Sequence, residues 1–172
     1  MIRANKIIEV ARQYLGIIEN PGNTGWKNTA FQNMMVKVGW YLKAAWCAFF
    51  TKAVYLEAYA DNPAVTKAIK NCFTGGALDT YRRVKADGTF KTGSEPKKGA
   101  IAVYQHGNGS TGHVGIVENE LIAPNTQQNI EGNTNASGSR EGDRVAEKLR
   151  TIKRDKKADG LNLVGFIYPI ED

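Results

Sequence analysis

The chain has two cysteines, two histidines and five prolines in 172 residues, and no apolar run approaches the length of a bilayer. Two cysteines are too few for a disulfide scaffold, so the fold must rest on a hydrophobic core. No Cys-x-x-Cys, His-x-x-x-His or His-Glu-x-x-His spacing occurs, which excludes the common zinc-site patterns. Glycines 107–112 have P-loop spacing but lead into His113-Val114 where a phosphate cradle needs Lys-Ser/Thr, so that match is false. Arg3, Lys6, Glu9 and Arg12 interrupt what would be the apolar centre of a signal peptide. A chain made in the cytoplasm without a signal peptide is the expectation.

Against these absences stand 42% hydrophobic and 23% charged residues, a globular composition. The formal charge of +6 favours polyanionic neighbours such as nucleic acid, acidic wall polymers or anionic lipid, and says nothing of fold. The basic clusters Lys97-Lys98 and Lys153-Arg154-Asp155-Lys156-Lys157 fall in predicted loops, with no recognition helix or RNA-binding aromatic pattern. They read as solvated surface, and a nucleic-acid-binding module is the weaker reading.

Residues 3–15 place Ile7, Ile8, Ala11 and Leu15 at helical spacing. Further helices are predicted over 29–38, 47–59, 63–69 and 76–85, punctuated by Gly39, Asp61-Asn62-Pro63 and Asp87-Gly88. After Gly99 the period changes. Strands are predicted over 100–104, 113–117, 128–133, 145–152 and 163–168, separated by Gly107-Asn108-Gly109-Ser110, Ala123-Pro124-Asn125 and Ser137-Gly138-Ser139. Helices followed by strands imply one α+β domain over 1–172, with N-terminal helices packed on a mostly antiparallel sheet.

Cys47 opens the third helix, where unpaired N–H groups and the positive dipole end favour thiolate over thiol. A cysteine on an apolar helix is more often plain packing. His113 begins a strand, with Gly112 and Gly115 keeping its surroundings open for a substrate; His106, before a glycine loop, has no such support. Glu131 and Asn133 lie two apart on a strand, so both can face the imidazole. One of them can accept the Nδ1–H bond and fix the tautomer; a solvated turn is the plainer reading of Asn133-Thr134-Asn135. Cys72, at a helix end, reads as structural, and sequence does not show whether it pairs with Cys47.

Trp46-Cys47-Ala48-Phe49-Phe50, Gly112-His113-Val114-Gly115-Ile116-Val117, Ile130-Glu131-Gly132-Asn133-Thr134 and Val164-Gly165-Phe166-Ile167 together resemble the CHAP family. These are cysteine- and histidine-dependent amidohydrolases and peptidases of peptidoglycan, within the papain-like superfamily. The region from Gly138 to Ala146 also looks like a family segment. The resemblance implies a papain-like fold with Cys47 as nucleophile and His113 as general base, then acid. Glu131 would orient His113, and Asn133 would share that role or stabilise the site. The Cys47 N–H would form the oxyanion hole with a side chain from the preceding loop, for which Tyr41 is the candidate. Glu19, Asn23, Trp26 and Trp46 are candidates for contacting a stem peptide.

Two departures matter. Pro96-Lys97-Lys98-Gly99-Ala100 has alanine where many members carry aspartate. Residues 20–46 lack the aspartates with which some members bind calcium, so no metal and no cofactor is expected. The implied activity is hydrolysis of a wall amide, by an N-acetylmuramoyl-L-alanine amidase or an endopeptidase. A deamidase or effector toxin acting on a non-wall amide is the alternative within the superfamily. The expected setting is a monomeric phage or prophage lysin passed through a holin, or an effector delivered by export machinery.

Overall fold

The computed structural model describes residues 2–135 and 142–171. Five helices come first: α1 (Arg3–Arg12), α2 (Thr29–Lys37), α3 (Cys47–Ala58), α4 (Pro63–Cys72) and α5 (Ala77–Asp87). Six strands follow: β1 (Thr92–Gly93), β2 (Ile101–His106), β3 (Gly112–Ala123), β4 (Thr126–Thr134), β5 (Arg144–Thr151) and β6 (Leu161–Ile167). The α+β expectation holds. The two-residue β1 was not foreseen, because so short a segment carries no period.

Local chemistry sets the helix ends. Asn28 and Asn62 turn their side-chain oxygens onto the N–H groups of Phe31 and Val65, capping α2 and α4, and Pro63 occupies the first turn of α4 where its missing N–H costs nothing. α1 stops at Arg12, short of the expected 15, as Gln13 to Leu15 make 3-10-type turns that lead into Gly16.

The strands form one antiparallel sheet in the order β1-β6-β2-β3-β4-β5. Ile101, Val103, Val114, Ile116, Ile130 and Ile167 alternate onto one face and pack with Phe50 and Val54 of α3 in the main core. α3 is buried almost all round, as its apolar sequence demands. The Tyr55 hydroxyl donates to the Gly99 carbonyl (2.6 Å), fixing α3 to the approach to β2. Ala100, Ala102, Tyr104, Val117 and Phe166 make a smaller cluster. The α3 N-terminus, the start of β3 and the end of β4 meet at one end of this packing.

Candidate active site

Cys47 is the first residue of α3, and no side chain caps that helix, so its opening N–H groups lack intrahelical partners. The thiol is buried. Burial alone would raise it, but the charge and hydrogen bond of His113 and the backbone N–H groups of Val114 and Ala48 outweigh that and hold it below the ordinary thiol range. Cys72 is a separate free cysteine whose thiol is raised, first by burial and then by Asp87, so it is the inert one of the two.

His113 stands on β3, and its Nε2 meets Glu131 Oε2 at 2.8 Å. Glu131 therefore takes Nε2–H, not Nδ1–H as the sequence reading had it, and Nδ1 is left for the sulfur. Burial would lower the imidazole, but the charges of Glu131 and Cys47 and their hydrogen bonds raise it to about 10. Glu131 is wholly buried, and burial would push it up; His113 and Arg150 bring it down to about 2. Imidazolium and carboxylate are thus the favoured forms of His113 and Glu131 at neutral pH, and the Cys47 thiol beside them is shifted toward thiolate.

Close approach explains the glycines. A Cβ at Gly115 would lie 2.6 Å from Glu131 Cγ, and one at Gly132 would lie 2.7 Å from the Trp46 ring and 2.8 Å from Phe50 Cβ. A Cβ at Gly112 would meet the Tyr104 carbonyl oxygen. Gly112 and Gly115 make room for the protein's own packing, whereas the sequence reading had them opening space for substrate.

Asn133 departs from its expected place. Its φ is +52°, and the register of β4 against β5 shifts between Glu131 and Thr134. The two-residue alternation that put Asn133 beside Glu131 fails there, and no hydrogen bond joins its side chain to His113 or Glu131 among the described residues. The neighbouring amide is instead Asn129, two residues earlier, whose Nδ2 donates to Glu131 Oε1 (3.1 Å). The same Nδ2 reaches the Tyr104 hydroxyl (3.0 Å), and Gln127 Nε2 donates to Asn129 Oδ1 (2.9 Å). Arg150 completes the group, its Nε donating to Glu131 Oε1 at 2.8 Å and its Nη2 to Oε2. Neither Asn129 nor Arg150 was picked out by the sequence. Strand alternation from Glu131 points to Asn129, but nothing local points to Arg150.

Trp26 and Trp46 are corrected as substrate contacts. Trp46 is fully buried and Trp26 is 5% exposed. Their rings pack at 5.1 Å, with Trp40 4.7 Å and Phe31 5.0 Å from Trp26. These four large rings find more apolar contact against each other than any loop surface offers. Glu19 is buried with them and accepts the Trp46 Nε1–H bond (2.7 Å), so it too presents no free surface. Asn23 is half-buried in a left-handed turn, its carbonyl tying this loop to the Lys43 N–H (2.8 Å). Tyr41 is 68% exposed, its ring edge-on to Phe49. It lines a hollow of about 490 Å³ with Ala45, Phe49, Gly75, Gly76 and Asp79, next to the first turn of α3.

The basic clusters are partly used internally: Lys153 Nζ pairs with Glu95 (3.1 Å) and Arg154 donates to the Leu161 carbonyl. Among the described residues no helix is long and apolar enough to cross a membrane, and no group of His, Cys, Asp and Glu is arranged to hold a metal. The family-like segment from Gly138 to Ala146 falls partly on residues 136–141, outside the described residues, as does the turn expected over 137–139.

No curated protein matches the chain. The family model of the CHAP domain matches residues 37–133, more than half of the chain and the whole span from the approach to α3 through Asn133. With Cys47 at a helix start, His113 on the adjoining strand and Glu131 behind it, the chain belongs to the CHAP domain family, papain-like hydrolases of the amidase and peptidase class.

Proposed function

We propose that this protein cleaves an amide bond of peptidoglycan through a Cys47 thioester, acting on the wall after release or export. The observation that carries the reading is a buried thiol at an uncapped helix N-terminus, coupled to an imidazole whose far nitrogen is held by a buried carboxylate.

The Cys47 thiolate attacks the amide carbonyl, forming a C–S bond and an oxyanion. The uncapped N–H of Cys47 donates to that oxyanion, and Tyr41, at the rim of the adjoining hollow, is the candidate second donor. His113 protonates the amine as the C–N bond breaks. Neutral His113 then takes a proton from water, which attacks the thioester and releases the acid and the thiolate. Glu131 keeps the ring oriented through Nε2 in both halves.

The test is digestion of purified peptidoglycan by wild type and Cys47→Ala, with fragments read by mass spectrometry. Fragments that need Cys47 support the reading, and their masses name the bond as the amidase or the endopeptidase one. Walls of several chemotypes left intact by a folded wild type would overturn it.

A further inference from the structure

Glu131 is an unusual carboxylate for a buried position, because every acceptor site on it is taken. Oε1 accepts from Arg150 Nε (2.8 Å) and Asn129 Nδ2 (3.1 Å); Oε2 accepts from His113 Nε2 (2.8 Å) and Arg150 Nη2. A carboxylate has about four such sites. Arg150 grips both oxygens, the geometry in which guanidinium binds carboxylate best. It does so from a distance in register: on β5 it stands opposite Gln127, while Ala146 stands opposite Glu131. The side chain runs along the sheet face, with its guanidinium carbon 5.8 Å from the Tyr104 ring centroid.

We propose that Arg150 is a positioning residue whose fixed charge keeps Glu131 ionised through the half of the cycle in which His113 is neutral. This rests on the catalytic pair proposed above. With thiolate and imidazolium present, their charges cancel and Arg150 cancels Glu131. Once the amine has left with its proton, the thioester and the imidazole are both neutral, and Arg150 still cancels Glu131. Without Arg150 the acyl-enzyme would hold a buried carboxylate facing only neutral donors. Such a group relieves itself by taking a proton. A protonated Glu131 no longer holds Nε2–H as an anion does, nor supports the imidazolium needed to regenerate the thiolate.

The groups facing this cluster are few. Cys47 comes from α3, His113 from β3, Tyr104 from β2 and Arg150 from β5, while Asn129 and Gln127 of β4 do not titrate. Tyr104 is raised, first by burial and then by Glu131, and stays a neutral phenol. Lys148, the next cation on the same side of β5, is engaged by the Asn135 carbonyl (2.5 Å). Arg150 is the one cation among the described residues that reaches Glu131 besides His113.

The experiment is the pH dependence of Cys47 alkylation by iodoacetamide in wild type, Arg150→Gln and Arg150→Lys, with folding checked by circular dichroism. Loss of the charge lets Glu131 protonate at higher pH and leaves the thiolate less supported, so both effects push the acid limb upward. Arg150→Gln is expected to move that limb up by about one pH unit or more. Arg150→Lys keeps the charge, and its limb stays within about half a unit of wild type even where the rate drops with the lost grip. A folded Arg150→Gln with an unmoved limb would overturn the proposal, because a purely structural arginine lowers rates at all pH values alike. Should Arg150→Gln not fold, Arg150→Met takes its place, since it also removes the charge: a limb raised by about one unit or more supports the proposal, and an unmoved limb overturns it. Alkylation needs no wall. Rapid, Arg150-dependent alkylation without wall fragments would refute only the substrate, whereas wild-type alkylation no faster than in denatured chain would refute the catalytic pair and this role together.

Discussion

Gly115→Ala perturbs the site without touching a reacting group. Gly115 lies in regular strand on β3 with no positive φ, so alanine meets no backbone strain there. The difficulty is contact: the new methyl would stand 2.6 Å from Glu131 Cγ and 3.0 Å from both Glu131 Oε1 and Asn129 Nδ2. Ordinary carbon contacts lie near about 3.5–4 Å, so something must move by about 1 Å. Glu131 cannot swing clear, since His113, Arg150 and Asn129 hold its carboxylate. Strand β3 on the other side is pinned by its pairing with Ala102 of β2. Overpacking of this kind costs about 1–3 kcal/mol. At about 2–4 °C of Tm per kcal/mol for a chain of this size, melting falls by roughly 2–12 °C. The displacement passes through Glu131 to the imidazole, and a misplacement of about 1 Å costs about a hundredfold in rate. The assay pairs Cys47 alkylation and wall lysis with thermal melting, at a temperature where both proteins are folded. A Gly115→Ala protein with wild-type melting and wild-type turnover would refute the packing argument.

Two further predictions concern pH. Turnover falls on the alkaline side as His113, raised to about 10, loses the proton it must give to the leaving amine. Glu131→Gln removes a charge that raises His113 and moves this limb down by about one unit or more; pH–rate profiles with coincident alkaline limbs would contradict the assignment. Glu19 is raised to about 7, first by burial, against the Trp46 hydrogen bond and with help from Asp143, and among the described residues its Oε1 has no hydrogen-bond partner. A carboxyl raised on folding favours the protonated form, so its stabilising contribution is full below about pH 4.5 and is lost as pH rises through about 7. Glu19→Gln keeps an acceptor for Trp46 and carries no charge. Its Tm therefore exceeds wild type above about pH 7, with the gap closing toward about pH 5; a constant gap across that range would count against the titration.

Helix starts, the change from helical to strand period after Gly99, and the pairing of a helix-opening Cys47 with a strand His113 were legible along the chain. Each depends on neighbours within a few residues: a cap, a dipole, an alternation. Alternation also made Glu131 readable but misplaced Asn133, because the register shift after Glu131 and the left-handed φ at Asn133 arise from how β4 pairs with β5. Trp26 and Trp46 read as candidates for contacting a stem peptide, since nothing local says that a loop will fold back and bury both rings against Trp40 and Phe31. Arg150 shows the limit most clearly. On its own strand it is one more basic residue; only the sheet face brings its guanidinium to a carboxylate four register positions away. Composition and spacing determined that this chain would carry a thiol and an imidazole on the right elements. Tertiary structure decided which ring nitrogen the carboxylate takes and which cation holds that carboxylate charged, because long-range packing sets the distances over which charge and hydrogen bonds act.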